Sequence, residues 1–392
     1  MLSVLAFARK SLVRFVFGAA VLGLAACTTG PLTPGPGPSS GGSGAVAVAL
    51  LVPGGSGQAS DELLARSLQN AARMAIADLN GVTIDLRVYN TAGQPGQARV
   101  MALQAVDEGA QIILGPVFAQ EANAAGVAVA GRGVNLLSFS NNPDIAGGNV
   151  FVLGPTFQNT AGRLASYAAR NGKGRMMVVH DRNTAGELGR AAVERGVAQA
   201  GGTVVGIGSY EFSQNGVVSA APGIVATAKS SGANAVFLTA DTAGALPLIT
   251  QLLRDNGLDT EAMRLIGLTR WDIPAATLAL PGVQGGWFAL PDPNLYAQYQ
   301  ARYQAAYGEA PHPISGLAYD GIAAIGALAR RGQTGPIPSA DLTQGAGFVG
   351  VNGVFRLRGD GTNERGLAVA QVRNNQVVVI DPAPRSFGGA GF

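Results

Sequence analysis

The chain has 392 residues, of which 47% are apolar and only 13% charged, a length that suits about two domains of roughly 100–200 residues each. A formal charge of +3 with no Lys/Arg run argues against a nucleic-acid binder. A single Cys and 2 His argue against a disulfide framework, a zinc site or a CxxC redox centre.

The N-terminus reads as an address. Arg9, Lys10 and Arg14 precede the apolar run Phe15–Leu24, which is too short for the ~20 residues of a membrane span. Residues 1–26 are therefore expected to be a secretory leader. It ends in Leu24-Ala25-Ala26-Cys27, which resembles the bacterial lipobox. The resemblance implies that the Cys27 thiol accepts a diacylglycerol and becomes the first residue of a lipoprotein. Thr28, in place of Asp, implies sorting to the outer membrane. The three leader cations account for the whole formal charge of +3, so the chain from Cys27 onward is formally neutral. Residues 28–44 are nearly all Gly, Pro, Ser and Thr and read as a tether with a mean reach of roughly 20–25 Å.

From Ala45 the pattern alternates strand and helix. Ala45–Val52 is a continuous apolar run, as a strand buried on both faces should be. A Gly-rich loop follows, then a helix over residues 61–79 with Leu64, Leu68, Ala71 and Ala75 on one face. Strands are expected at Ile84–Tyr89, Gln111–Leu114, Asn135–Phe139, Arg175–His180, Thr203–Tyr210, Ala235–Thr239 and Arg264–Leu268. Helices alternate with them at Gln97–Glu108, Glu121–Arg132, Thr160–Asn171, Glu187–Ala200, Val217–Ser231 and Ala243–Asn256. This is a doubly wound α/β pattern, and two linked lobes fit it better than one sheet. After helices near Tyr296–Tyr307 and Pro313–Arg331 come short strands at Gly353–Leu357, Leu367–Val372 and Gln376–Ile380.

Several segments carry a family resemblance in order and spacing: Ile112-Ile113-Leu114-Gly115-Pro116, Leu136–Pro143, Val178-Val179-His180-Asp181, Ala233–Phe237 and Gly316-Leu317-Ala318-Tyr319-Asp320. Together they resemble the type 1 periplasmic binding proteins, the leucine-binding subfamily in particular. The resemblance implies a two-lobed α/β fold, each lobe a doubly wound and mostly parallel sheet, with a ligand between them. The expected layout is residues 45–154 plus 290–332 as the first lobe and 155–289 plus 333–383 as the second, with 384–392 as a tail. In members that bind free amino acids, a Ser, a Tyr and an acidic residue hold the zwitterion. The matching positions here carry Ala119, Ala185 and Thr269. A buried zwitterion without counter-charges costs several kcal/mol, so free leucine is a poor fit. Ser138, Ser140 and Asn142 remain as cleft donors, and Asp241, Arg270, Trp271 and Asp272 follow strand ends, where cleft residues belong. Each of these also suits a turn or a helix cap.

A second resemblance covers Asn352–Leu357, Asn363–Ala368 and Gln376–Val379, and also the opening Ala49–Pro53. These look like the lipoprotein activators of penicillin-binding proteins, whose C-terminal domain has the same fold. It implies a regulator of peptidoglycan synthesis acting through contact with a synthase. That is the first reading; the alternative is the substrate-binding lipoprotein of an ABC importer, whose partners are a permease and an amino acid or related solute. Both place the protein in the periplasm.

Catalytic and nucleotide motifs do not emerge. No GxGxxG follows a strand, and GxxxxGK[ST] and GxSxG are absent. His180 beside Asp181 suits acid–base work, but the same pair occurs in non-catalytic members of the family. Tyr296, Tyr299, Tyr303 and Tyr307 share one helix face, either packed inward or as a partner-binding stripe. The expectation is a non-catalytic protein with no metal or cofactor.

Overall fold

The computed structural model describes residues 44–331 and 335–388. The segments expected as leader and tether, with Cys27, fall at residues 1–43 and lie outside them. The first lobe begins β1 (Val46–Val52), α1 (Ala59–Ala77), β2 (Ile84–Asn90), α2 (Pro95–Asp107), β3 (Ile112–Leu114), α3 (Ala119–Val129), β4 (Asn135–Ser138), β5 (Val150–Val152). The sheet runs β2-β1-β3-β4-β5 and is parallel throughout. Of the seven residues of β1 only Ala47 is partly exposed, because helices cover both faces of such a sheet. On α1 the stripe Leu64, Leu68, Ala71 and Ala75 is buried against it.

The second lobe contains α4 (Phe157–Arg170), β6 (Arg175–Asp181), α5 (Thr184–Gln199), β7 (Thr203–Tyr210), α6 (Gln214–Ser230), β8 (Ala235–Leu238), α7 (Leu246–Asp255), β9 (Arg264–Gly267) and β10 (Trp287–Leu290). Its strands wind β7-β6-β8-β9-β10, the same order as in the first lobe. Side-chain caps start three of its helices. Thr156 and Asn159 form a reciprocal capping box on α4, and Asn183 and Ser213 cap α5 and α6.

The chain then returns to the first lobe as α8 (Pro293–Tyr307) and α9 (Gly316–Ala329), followed by α10 (Ser339–Leu342), β11 (Phe348–Gly350), β12 (Gly353–Leu357) and β13 (Asn363–Arg365). Ile337, Leu342, Phe348, Phe355 and Leu357 share one buried core with β1, α1 and α9. Residues 335–365, expected in the second lobe, therefore pack on the first: their apolar side chains cover α9, and Asn135 donates a 2.7 Å hydrogen bond to the carbonyl of Ile337. Only β14 (Ala368–Arg373) and β15 (Gln376–Asp381) rejoin the second sheet, both antiparallel.

Three crossovers thus link the lobes, after β5, after β10 and between β13 and β14. Two of them are tied together. Asn363 donates to the carbonyls of Val152 and Gly154 at 2.7 and 2.8 Å. Arg365 donates to Leu153 O at 2.8 Å and to Asp320 at 3.1 Å, and Asn352 donates to the same Asp320 carboxylate at 3.0 Å. Burial pushes the Asp320 carboxyl upward against the opposing pull of Arg365. Among the described residues no helix is long and apolar enough to cross a membrane.

Candidate functional site

Parallel sheets place their loops, and so their ligand sites, at the carboxyl ends of the strands. Gly115 ends β3 with φ +93°, and a Cβ there would stand 2.2 Å from the carbonyl of Leu51, so only glycine makes this turn. Ser138 at the end of β4 holds the same turn, donating to Pro116 O at 3.0 Å and accepting from the amide of Ser140 at 3.0 Å. Ser140 accepts from the amide of Asn142 at 3.1 Å, and Asn142 caps a short 3₁₀ helix through the amide of Asp144 at 2.9 Å. All three polar side chains singled out in this loop therefore brace its backbone.

The next residue group stands on the loops after β8 and β9. Asp241 is exposed, with no side-chain hydrogen bond or ion pair among the described residues. Arg270 and Asp272 form a two-pronged pair, Nε to Oδ1 at 2.9 Å and Nη2 to Oδ2, and the guanidinium lies 6.0 Å from the Tyr296 ring of α8. Trp271 between them is wholly buried in the second lobe and stacks on Phe288 at 6.3 Å. It presents no ring face to a ligand, and its Nε1 has no hydrogen-bond partner.

A recess of about 270 Å³ opens between the lobes where these loops meet the crossovers. This is just below the roughly 300–1,000 Å³ common for ligand sites. Its floor and walls are mostly apolar: Phe157, Leu268, Ile273, Leu290, Ile314 and Leu317. The polar lining is Asn141, Thr160, Thr269, Arg270, Asn352 and Arg365; among the described residues no Asp or Glu lines it. Of the residues expected as cleft contacts only Arg270 lines this recess. Ser138, Ser140, Asn142, Asp241, Trp271 and Asp272 do not, and the structure scatters them over both lobes. Asn141, Phe157 and Ile273 also line the recess and carry no motif in the sequence. Their signal was position, each lying within a few residues of a strand end or a crossover.

The His180–Asp181 pair is not a proton-transfer dyad. The Asp181 carboxylate accepts from Tyr210 Oη at 3.1 Å and Thr239 Oγ1 at 2.9 Å, and burial of the Tyr210 phenol, with that negative charge beside it, pushes the phenol upward. His180 Nδ1 instead meets the carbonyl of Asp181 at 3.1 Å and Glu187 at 3.5 Å. The tyrosine stripe of α8 packs inward. Tyr299 and Tyr303 are buried, and their hydroxyls meet Ser315 and Asn70. Among the described residues no group of His, Cys, Asp and Glu could hold a metal ion.

Residues 45–376 match the sequence profile of a family described as periplasmic binding protein. No curated protein matches the sequence. Among solved structures, one from Rhodospirillum rubrum, provisionally assigned to a branched-chain amino acid ABC transporter, superposes with a TM-score of 0.71. It is 20% identical and covers 86% of this chain and 100% of its own. A branched-chain amino acid ABC transporter periplasmic ligand-binding protein of Burkholderia xenovorans LB400 superposes at 0.69 with 18% identity, over 88% of this chain and 97% of its own. An ABC transporter substrate-binding protein of Desulfitobacterium hafniense, in complex with Leu, superposes at 0.64 with 19% identity, over 86% of this chain and 99% of its own. The profile match spans most of the chain, which therefore belongs to the periplasmic binding protein family.

Proposed function

We propose that this member of the periplasmic binding protein family is the solute receptor of an ABC importer, held at the cell envelope through a lipid on Cys27. The observation that carries the reading is the interlobe recess: it is concave, mostly apolar, holds a few convergent polar groups and lies at the carboxyl ends of strands from a doubly wound sheet. The receptor acts by binding and handing over its solute, without chemistry of its own.

Pull-down of the full chain from detergent-solubilised membranes tests the proposal. It expects an importer permease in the eluate. Recovery of a cell-wall synthase in place of a permease overturns it in favour of the activator reading that residues 352–379 suggest. Labelling with radioactive palmitate checks the anchor: Cys27→Ser should abolish incorporation, and retained label would exclude Cys27 as the lipid site.

A further inference from the structure

We infer that the interlobe recess selects a small apolar carboxylate that carries no ammonium group, an inference that rests on the solute-receptor reading. The charge around the recess is one-sided. Arg270 and Arg365 line it, while their partners Asp272 and Asp320 do not. Arg365 is committed to the crossovers, donating to Leu153 O and Asp320. Arg270 spends only Nε and one Nη2 hydrogen on Asp272, so a guanidinium with five donors keeps the rest for a ligand. The side chain of Asn141, on the facing loop, makes no hydrogen bond with any described residue. A carboxylate accepting from both would leave its hydrocarbon body against Phe157, Leu268, Ile273 and Leu317.

An α-ammonium has no such welcome. Among the described residues no carboxylate lines the recess. The Asp181 carboxylate is buried and already accepts from Tyr210 and Thr239. Thr269, which lines the recess, is uncharged, and its hydroxyl donates to Ala240 O at 3.2 Å. A cationic head would be desolvated with nothing to pair with, which costs more than the apolar body of a small solute regains.

Titration calorimetry on the full chain tests this with matched probes: 4-methylpentanoate, leucine (the same skeleton with an α-ammonium) and 4-methylpentanamide. The acid should bind at least about tenfold tighter than either of the others, the difference expected for one charge-assisted contact made or lost. The double variant Arg270→Gln/Asp272→Asn removes the pair without leaving a lone charge. It should lose about tenfold or more in affinity for the acid while keeping the wild-type thermal midpoint. If that variant fails to fold, Asn141→Ala supplies the same reading at an exposed residue. Leucine binding tighter than the acid, an acid no better than its amide, or no binding by any probe overturns the inference. Recovery of a permease alongside tight leucine binding overturns only the ligand class. Recovery of a synthase overturns the receptor reading whatever the recess binds.

Discussion

Trp271 fits its place because two neighbours have no side chain. A Cβ on Gly267 would stand 2.2 Å from Trp271 Nε1, and one on Gly286 would stand 2.3 Å from the ring. Gly267→Ala must move the indole or the strand, and overpacking of this kind costs about 1–3 kcal/mol. The thermal unfolding midpoint should fall by several degrees; an unchanged midpoint would show that the ring has room the geometry denies it. The same residue shows where sequence reading stops. Arg270, Trp271 and Asp272 are adjacent in the chain and look like one polar-aromatic cluster, yet Arg270 pairs with a half-buried Asp272 while the indole turns into the core. Adjacency gives no shared direction. The glycines that reveal the ring's position are 4 residues before and 15 after it.

At the level of elements, legibility followed length and period. The long helices and the wholly apolar strands of both lobes were readable because their periods repeat over many residues. Strands β5 and β10, Val-Phe-Val and Trp-Phe-Ala-Leu, are too short to show a period; β5 takes its place from the neighbouring β4, and β10 is set between β9 and the distant β14. Contacts between elements were equally silent in sequence. Asp78 at the end of α1 accepts from Arg302 of α8 at 2.7 Å and from Tyr319 of α9. Partial burial pushes this carboxyl up, but the hydrogen bonds from Arg302 and Tyr319 outweigh it and hold it below its ordinary 3.8. A carboxylate depressed in the folded state contributes stability that is complete above its unfolded value and is lost as pH falls through the folded one. Asp78→Asn should therefore be less stable than wild type at neutral pH, with the two unfolding curves converging as pH falls below about 4. Acid titration followed by circular dichroism measures the gap. A gap that persists unchanged into strong acid would assign the effect to packing instead of charge.

The whole molecule depends on joints that no stretch of sequence displays. The recess draws on residues 141, 157, 270, 314 and 365, which only the crossovers bring together. The two-lobed architecture was legible because each lobe repeats a local βα unit. The allocation of residues 335–365 to the first lobe was not, because it is decided by non-local burial against α9 and Asn135. At the joint itself Asn363 is the small residue with the largest reach. One amide group donates to the carbonyls of Val152 and Gly154, so the third crossover is fastened to the first. Removing the donor leaves two buried carbonyls unpartnered, at about 1–3 kcal/mol for each that water does not reach. Asn363→Ala should therefore loosen the link between lobes more than it loosens either lobe. Hydrogen exchange followed by mass spectrometry separates the two. Peptides spanning residues 150–156 and 363–367 should lose protection, while those of β1 and β6, inside the sheets, should keep theirs. Uniform loss across all four would mean that Asn363 supports global stability only, and unchanged exchange at the crossovers would mean that it does not fasten them.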